Sequence, residues 1–125
     1  MQEILVVGHV CIDSNKTEHA SYVGAGSPAM FMERIFRQLP DCRLTIAAPY
    51  GKDFVTYAQG ISFYPAEPQG PLTMRYENTI SKGARIQHCM YWEGTNPVPI
   101  DRKLVEILQT ADTICLAPLA PTITP

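Results

Sequence analysis

The chain has 125 residues, 46% of them hydrophobic and 18% charged, with a formal net charge of -2. That length supports one domain with a modest core. The near-neutral balance excludes a protein built to grip nucleic acid or an anionic membrane. No apolar run reaches the length of a spanning helix. The opening MQEILVVGHV lacks the basic n-region and long apolar core of a signal peptide.

Glu3 to Val7 is a short apolar run bounded by Gly8, the pattern of a strand buried on both faces of a parallel sheet. After Gly8 the pattern alternates, with Val10 and Ile12 on one side and His9, Cys11 and Asp13 on the other. Asp13 is therefore expected just past the carboxyl end of the first strand, where open α/β sheets bind ligands. The alternative is a turn carboxylate capping Asn15 or Lys16. Lys16 to Val23 is polar and predicts a short exposed strand or loop.

Gly24-Ala25-Gly26 then reads as a turn feeding a helix. Ser27 is a suitable N-cap and Pro28 suits the first helical position. Met32, Ile35, Phe36 and Leu39 mark the expected buried face, Glu33 and Arg37 form an i,i+4 pair on the other, and Pro40 stops the helix. A glycine turn of this kind either brings backbone amides close to a polar ligand or simply gives room to turn. Both readings stay open.

Arg43 to Ala48 predicts a strand, residues 50–59 a short helical piece with Asp53 as N-cap, and Ile61 to Tyr64 another strand. Leu72 to Ile80 and Ala84 to Trp92 alternate about Ser81-Lys82-Gly83, which predicts an antiparallel hairpin over about 72–92, standing as a flap beside the parallel sheet. A three-residue turn puts Met74, Tyr76, Ile86, Met90 and Trp92 on one apolar face. Asp101 caps a helix whose buried side is Leu104, Ile107, Leu108 and Ala111, and Asp112 to Leu116 is a final buried strand. Cys11, Cys42, Cys89 and Cys115 are scattered, as expected of reduced thiols in a cytoplasmic protein, and they make no metal-ligand spacing. The order of elements is α/β with an inserted flap, ending directly after a strand.

These segments together resemble the N-terminal half of a ribokinase-family (PfkB) carbohydrate kinase. ILVVGHVCID resembles the family's first strand with its terminal Asp, and AGSPAMFMERIFRQLP its Gly-Gly-x-x-x-Asn-x-Ala motif and helix. IAAPYGKDF resembles the strand-Gly-x-Asp-x segment, TMRYENTISKGARIQHCMYWEG the lid hairpin, and ADTICLAPLAP the strand closing that half. The resemblance implies a three-layer α/β/α Rossmann-like fold with a β lid. The complete enzyme would transfer a phosphoryl group from ATP, with Mg2+, to a hydroxyl of a sugar, polyol or nucleoside. It implies substrate binding by Asp13, by the loop Ala25, Gly26 and Ser27, by the Asn position now held by Met30, and by Asn78 and Arg85 of the lid. It also implies a homodimer through the lid. Ala25 replaces the first Gly of the pair, Met30 the Asn, and Met32 the small residue after it. Gly24-Ala25-Gly26-Ser27 imitates the family's catalytic Gly-Ala-Gly-Asp, but it follows the first strand and ends in Ser. No catalytic or metal residue is therefore expected in 1–125, and the catalytic and ATP half is expected outside it. The alternative is a stand-alone, non-catalytic sugar-binding or dimerisation module. A different nucleotide-binding α/β domain would need phosphate-binding glycines after the first strand, and GHVCIDSN has none.

Overall fold

The computed structural model describes residues 1–90 and 98–119. Its elements are β1 (Gln2–Val7), β2 (Cys11–Lys16), β3 (Ser21–Gly26), α1 (Pro28–Phe36), β4 (Cys42–Ala47), α2 (Val55–Ala58), β5 (Ser62–Tyr64), β6 (Arg75–Ser81), β7 (Ala84–Met90), α3 (Arg102–Thr110) and β8 (Thr113–Leu116), with a 3-10 turn at Lys52–Phe54. They form two sheets. One is wholly parallel, in the order β5-β4-β1-β8. The other has the order β3-β2-β6-β7, with β2 and β6 parallel and both outer pairs antiparallel.

The apolar run of β1 is buried on both faces, as its composition requires. Ile4 and Val6 pack with Leu44 and Ile46 of β4 against Ala29 and Met30 of α1 and against Phe54. Leu5 and Ala47 pack on the other side against Val98 and Leu104, with Ile107, Leu108 and Ala111 alongside. Both helix caps expected from the sequence form: Met30 N–H donates to Ser27 Oγ (3.3 Å), and Leu104 N–H to Asp101 Oδ1 (2.9 Å).

Several expectations are corrected. Gly24-Ala25-Gly26 is the end of strand β3, paired to β2, and not a turn. Asp13 lies inside β2 of the second sheet, because the chain leaves the first sheet at Gly8 and starts a new strand at Cys11. The flap is accordingly a four-stranded sheet rather than a lone hairpin, which a two-stranded ribbon's marginal stability favours. Its hairpin begins at Arg75, since Thr73 is held elsewhere: its N–H (2.9 Å) and Oγ1–H (2.6 Å) both donate to Asp53 Oδ1. Asp53 is thereby not a helix cap, and the 3-10 turn has no side-chain cap. Helix α1 stops at Phe36 and buries Ala29, Met30 and Glu33, while Ile35 and Leu39 are exposed. The buried Glu33 carboxylate is satisfied by both Arg37 Nε (2.9 Å) and Nη2 (2.5 Å). Strand β8 is not buried: Ile114 and Leu116 are exposed, because β8 is an edge strand. Among the described residues no helix is long and apolar enough to cross a membrane.

The two sheets meet where residues 7–9 cross residues 117–119. Ala117 N–H donates to the Val7 carbonyl (2.8 Å), and Gly8 (φ 154°) lies so close to the Ala117 carbonyl that any Cβ would overlap it. Leu119 N–H donates to His9 Nδ1 (3.2 Å), which requires a neutral imidazole. Burial also disfavours the charged ring, so the His9 pKa lies below its ordinary value. In the unfolded chain the ring titrates near 6.5. As pH falls below about 6.5 the unfolded state takes the proton first, so stability present above that pH is lost progressively down to the lowered folded value. Urea unfolding should therefore show lower stability at pH 5.5 than at 7.5, with a smaller difference in His9→Asn. An equal difference in the variant would remove His9 as the source.

Candidate functional site

The register of the second sheet decides which side chains share a face. Lys82 (φ 50°) and Gly83 (φ 77°) form a two-residue turn of the left-handed kind that suits a hairpin. Tyr76 then pairs with Cys89, Asn78 with Gln87 and Ile80 with Arg85, while Asp13 lies beside Tyr76 and Asn15 beside Asn78. One residue fewer in the turn than expected moves every β7 side chain to the other face. Ile86 and Met90 therefore stand with Thr79 and Arg75, opposite Tyr76, which corrects the expected apolar face; Met74 precedes the strand, and Trp92 lies outside the described residues.

The face that carries Asp13 borders a cavity of about 200 Å³ lined by Cys11, Asp13, Ser27, Tyr76, Gln87 and Leu119. It opens where the second sheet meets the start of α1 and the segment after β8. Gly26 is what lets Asp13 lie here, because any side chain at 26 would occupy the carboxylate's position. The Cys11 thiol donates to Asp13 Oδ1 (3.5 Å), and the Tyr76 hydroxyl donates to the Leu119 carbonyl (3.2 Å). Burial, helped by the neighbouring Asp13 charge, raises the Cys11 pKa, and burial first, then Cys89, pushes the Tyr76 phenol up to about 12. Both are neutral at physiological pH, so among the described residues Asp13 is the one charged side chain on the lining.

Behind this lining runs a polar network. Asn78 is buried; its Nδ2–H donates to Asn15 Oδ1 (3.0 Å), and its Oδ1 accepts from Gln87 Nε2 (3.0 Å) and Arg85 Nη2 (3.3 Å). A guanidinium can only donate, so Arg85 fixes which way the Asn78 amide points, and Asn78 in turn fixes Gln87.

Ser27 adds a conformational feature. Its φ of 117° and ψ of 155° lie in a region otherwise occupied by glycine. The strain is held by the first turn of α1 on one side and β3 on the other, and it sets the hydroxyl on the cavity wall.

Of the residues expected from the sequence, Asp13 and Ser27 line the cavity and Gly26 lies under Asp13. Asn78 and Arg85 share that face but support Gln87 from behind. Ala25 pairs with Ile12, facing the core, and Met30 is buried in the core cluster. Cys11, Tyr76, Gln87 and Leu119 were not singled out. A two-residue turn at Lys82-Gly83 is the signal that would have put Tyr76 and Gln87 beside Asp13; Leu119 has no local signal.

No family model matches the chain, and no curated protein matches it. Solved structures do. A carbohydrate kinase from Agrobacterium tumefaciens is 21% identical, with a TM-score of 0.65 over 93% of this chain and 45% of its own. Ribokinase from Cryptococcus neoformans var. grubii serotype A, in complex with ADP, is 15% identical, with a TM-score of 0.65 over 93% and 40%. A pyrophosphate-dependent kinase in the ribokinase family, complexed with a pyrophosphate analog and myo-inositol, is 17% identical, with a TM-score of 0.62 over 93% and 40%. The chain thus has the ribokinase-type α/β fold and spans less than half the length of these structures, as an N-terminal half of that fold would.

The strain at Ser27 gives a stability prediction. Strain of this kind costs about 1–3 kcal/mol, whereas exchanging a Ser cap for Gly costs only a few tenths. Ser27→Gly should therefore raise the urea unfolding free energy by about 1 kcal/mol, net of glycine's backbone entropy, while Ser27→Ala lowers it. Destabilisation by Gly equal to that by Ala would show that the serine backbone is unstrained.

Proposed function

We propose that this chain is the acceptor-binding half of a cytoplasmic kinase that phosphorylates a hydroxyl of a sugar or polyol. The observation that carries the reading is Asp13. Its carboxylate is an acceptor for hydroxyl hydrogens, held over Gly26 on the wall of a cavity at the meeting of two sheets, next to the strained Ser27. The second sheet holds one wall, and Ser27 before α1 with Leu119 after β8 holds the other.

The residues described here do not fit the remaining parts of phosphoryl transfer. Among them no group of three or more His, Cys, Asp or Glu gathers to hold a metal, and no cationic side chain lines the cavity to hold phosphates. In this reading ATP with Mg2+, or another phosphoryl donor such as pyrophosphate, and the catalytic base are supplied from outside this span. The chain's own share is to bind and orient the acceptor hydroxyls and to exclude water from them. A homodimer through the lid belongs to the same reading, because β7 ends the second sheet and Ile86 and Val23 are exposed on one face of it.

Calorimetric titration of residues 1–125 with ribose and myo-inositol tests the reading. Binding near 1 mM, about -4 kcal/mol, is expected, weakened at least about tenfold in Asp13→Ala. ADP release above background is not expected. Equal binding by the variant would leave Asp13 a structural residue, and turnover that tracks the protein would show that the chain holds more than an acceptor site.

A further inference from the structure

Beyond Ala117 the segment after β8 is held at one residue. Pro118 has no N–H to give. Among the described residues, the hydrogen bonds past Ala117 are the two at Leu119: its N–H donates to His9 Nδ1 (3.2 Å), and its carbonyl accepts from the Tyr76 hydroxyl (3.2 Å). The first of these bonds depends on the protonation of one ring. A histidine that accepts at Nδ1 is neutral and carries its hydrogen on Nε2, and His9 Nε2 is buried with no partner. A proton added at Nδ1 turns the acceptor into a donor facing the Leu119 N–H. It also leaves a buried cation with no acceptor at either nitrogen, among the costliest arrangements in a fold. The local relief is for the Leu119 peptide to leave, so that water reaches the ring. No charged neighbour offsets the cost. The titratable side chains on the elements around the crossing are Cys11 and Asp13 of β2, Tyr76 of β6 and Cys89 of β7. The two thiols and the phenol are raised and stay neutral, and burial alone, with no charged group contributing, lowers the His9 pKa. Val7, Ala47 and Leu116, the strand ends that meet there, bring no charge, and Arg75 lies on the other face of the second sheet by register.

We propose that His9 is a pH-sensitive latch: protonation of its ring releases the Leu119 peptide from the crossing, takes Leu119 off the cavity wall and frees the Tyr76 hydroxyl, while Ala117 stays paired to Val7. Ala117 behaves differently because its N–H bonds to a backbone carbonyl, which does not titrate, and its own backbone lies against Gly8. The ring has two environments. With the latch open it is solvated and titrates near 6.5; with the latch closed it titrates lower. Protons therefore favour the open form as pH falls below about 6.5, by up to about tenfold per pH unit, until the lowered value of the closed form is reached. Above that range the latch is closed. The device acts on the wall whatever ligand meets it.

Amide hydrogen exchange of the full 125-residue chain, followed by NMR, tests the latch. Corrected for the intrinsic pH dependence of exchange, protection of the Leu119 N–H should fall about three- to tenfold between pH 7.5 and pH 5.5. The fall should be the same without urea and in about 1 M urea, because a local opening exposes little surface. Exchange of the Val6 N–H in β1, which needs global unfolding, should accelerate in urea. His9→Asn offers an amide oxygen in place of Nδ1 and does not titrate, so its Leu119 protection should not change with pH. Tyr76→Phe removes the other bond and keeps the ring. Its Leu119 protection should drop about fivefold at both pH values, with the ratio between them kept. Equal Leu119 protection at the two pH values, the same fall in His9→Asn, or a fall that grows with urea in step with Val6 overturns the latch. Should His9→Asn not fold, the urea series and the ratio in Tyr76→Phe decide in the same terms.

Discussion

Everything at the site depends on one crossing of chain segments 110 residues apart. Gly8 and Ala117 touch backbone to backbone, which only glycine permits at position 8. One residue on, His9 Nδ1 takes the Leu119 N–H, and the Leu119 carbonyl takes the Tyr76 hydroxyl. Three groups are tied by that one residue: the exit of β1, the strand of the second sheet beside Asp13, and the cavity wall. The parallel sheet supplies rigidity, because Ile4, Leu5 and Val6 are buried from both sides. The second sheet is carried from it by residues 8–10 and anchored again where Thr73 meets Asp53.

A second constraint acts within the second sheet. Asn78 of β6 is buried, and its partners Asn15 on β2 and Gln87 and Arg85 on β7 come from the two strands that flank it. A buried amide without partners costs more than one hydrogen bond contributes, so the network holds these strands in one register. The effect reaches the cavity through Gln87. Asn78 and Arg85 thus resemble substrate residues in the sequence while acting one layer behind the surface that a ligand would meet. By contrast, Ile114 and Leu116 on the edge strand, and Phe31 and Ile35 on α1, leave apolar surface uncovered in this chain.

The legible parts of the sequence were those in which local chemistry and tertiary burial agree. The apolar run of β1, the Ser27-Pro28 start of α1 and the Asp101 cap of α3 each carry their own physical reason. The β2 and β3 strands were legible only in part: the alternation through Asp13 and the exposed strand or loop over Lys16 to Val23 pointed to them, while SNK and GAG carry no apolar alternation and are made strands by neighbouring backbones. Gly24 and Gly26 read as turn residues, yet Gly26 serves to leave space for Asp13. The hairpin was legible and its faces were not, because a single residue of turn length decides which side every β7 residue takes. The role of Asp13 was expected for a position at the end of the first strand. The structure places it instead on the next strand and brings it to the cavity by another route.

Asp13 faces the cavity at the crossing of the two sheets, and the proposed function requires that a ligand meet it there. Intermolecular nuclear Overhauser effects between myo-inositol ring protons and this chain address it most directly. Cross-peaks to the Leu119 methyls and the Tyr76 ring, absent from the Asp13→Ala protein, are the predicted result. Cross-peaks only to residues elsewhere, or identical cross-peaks in the variant, would contradict it.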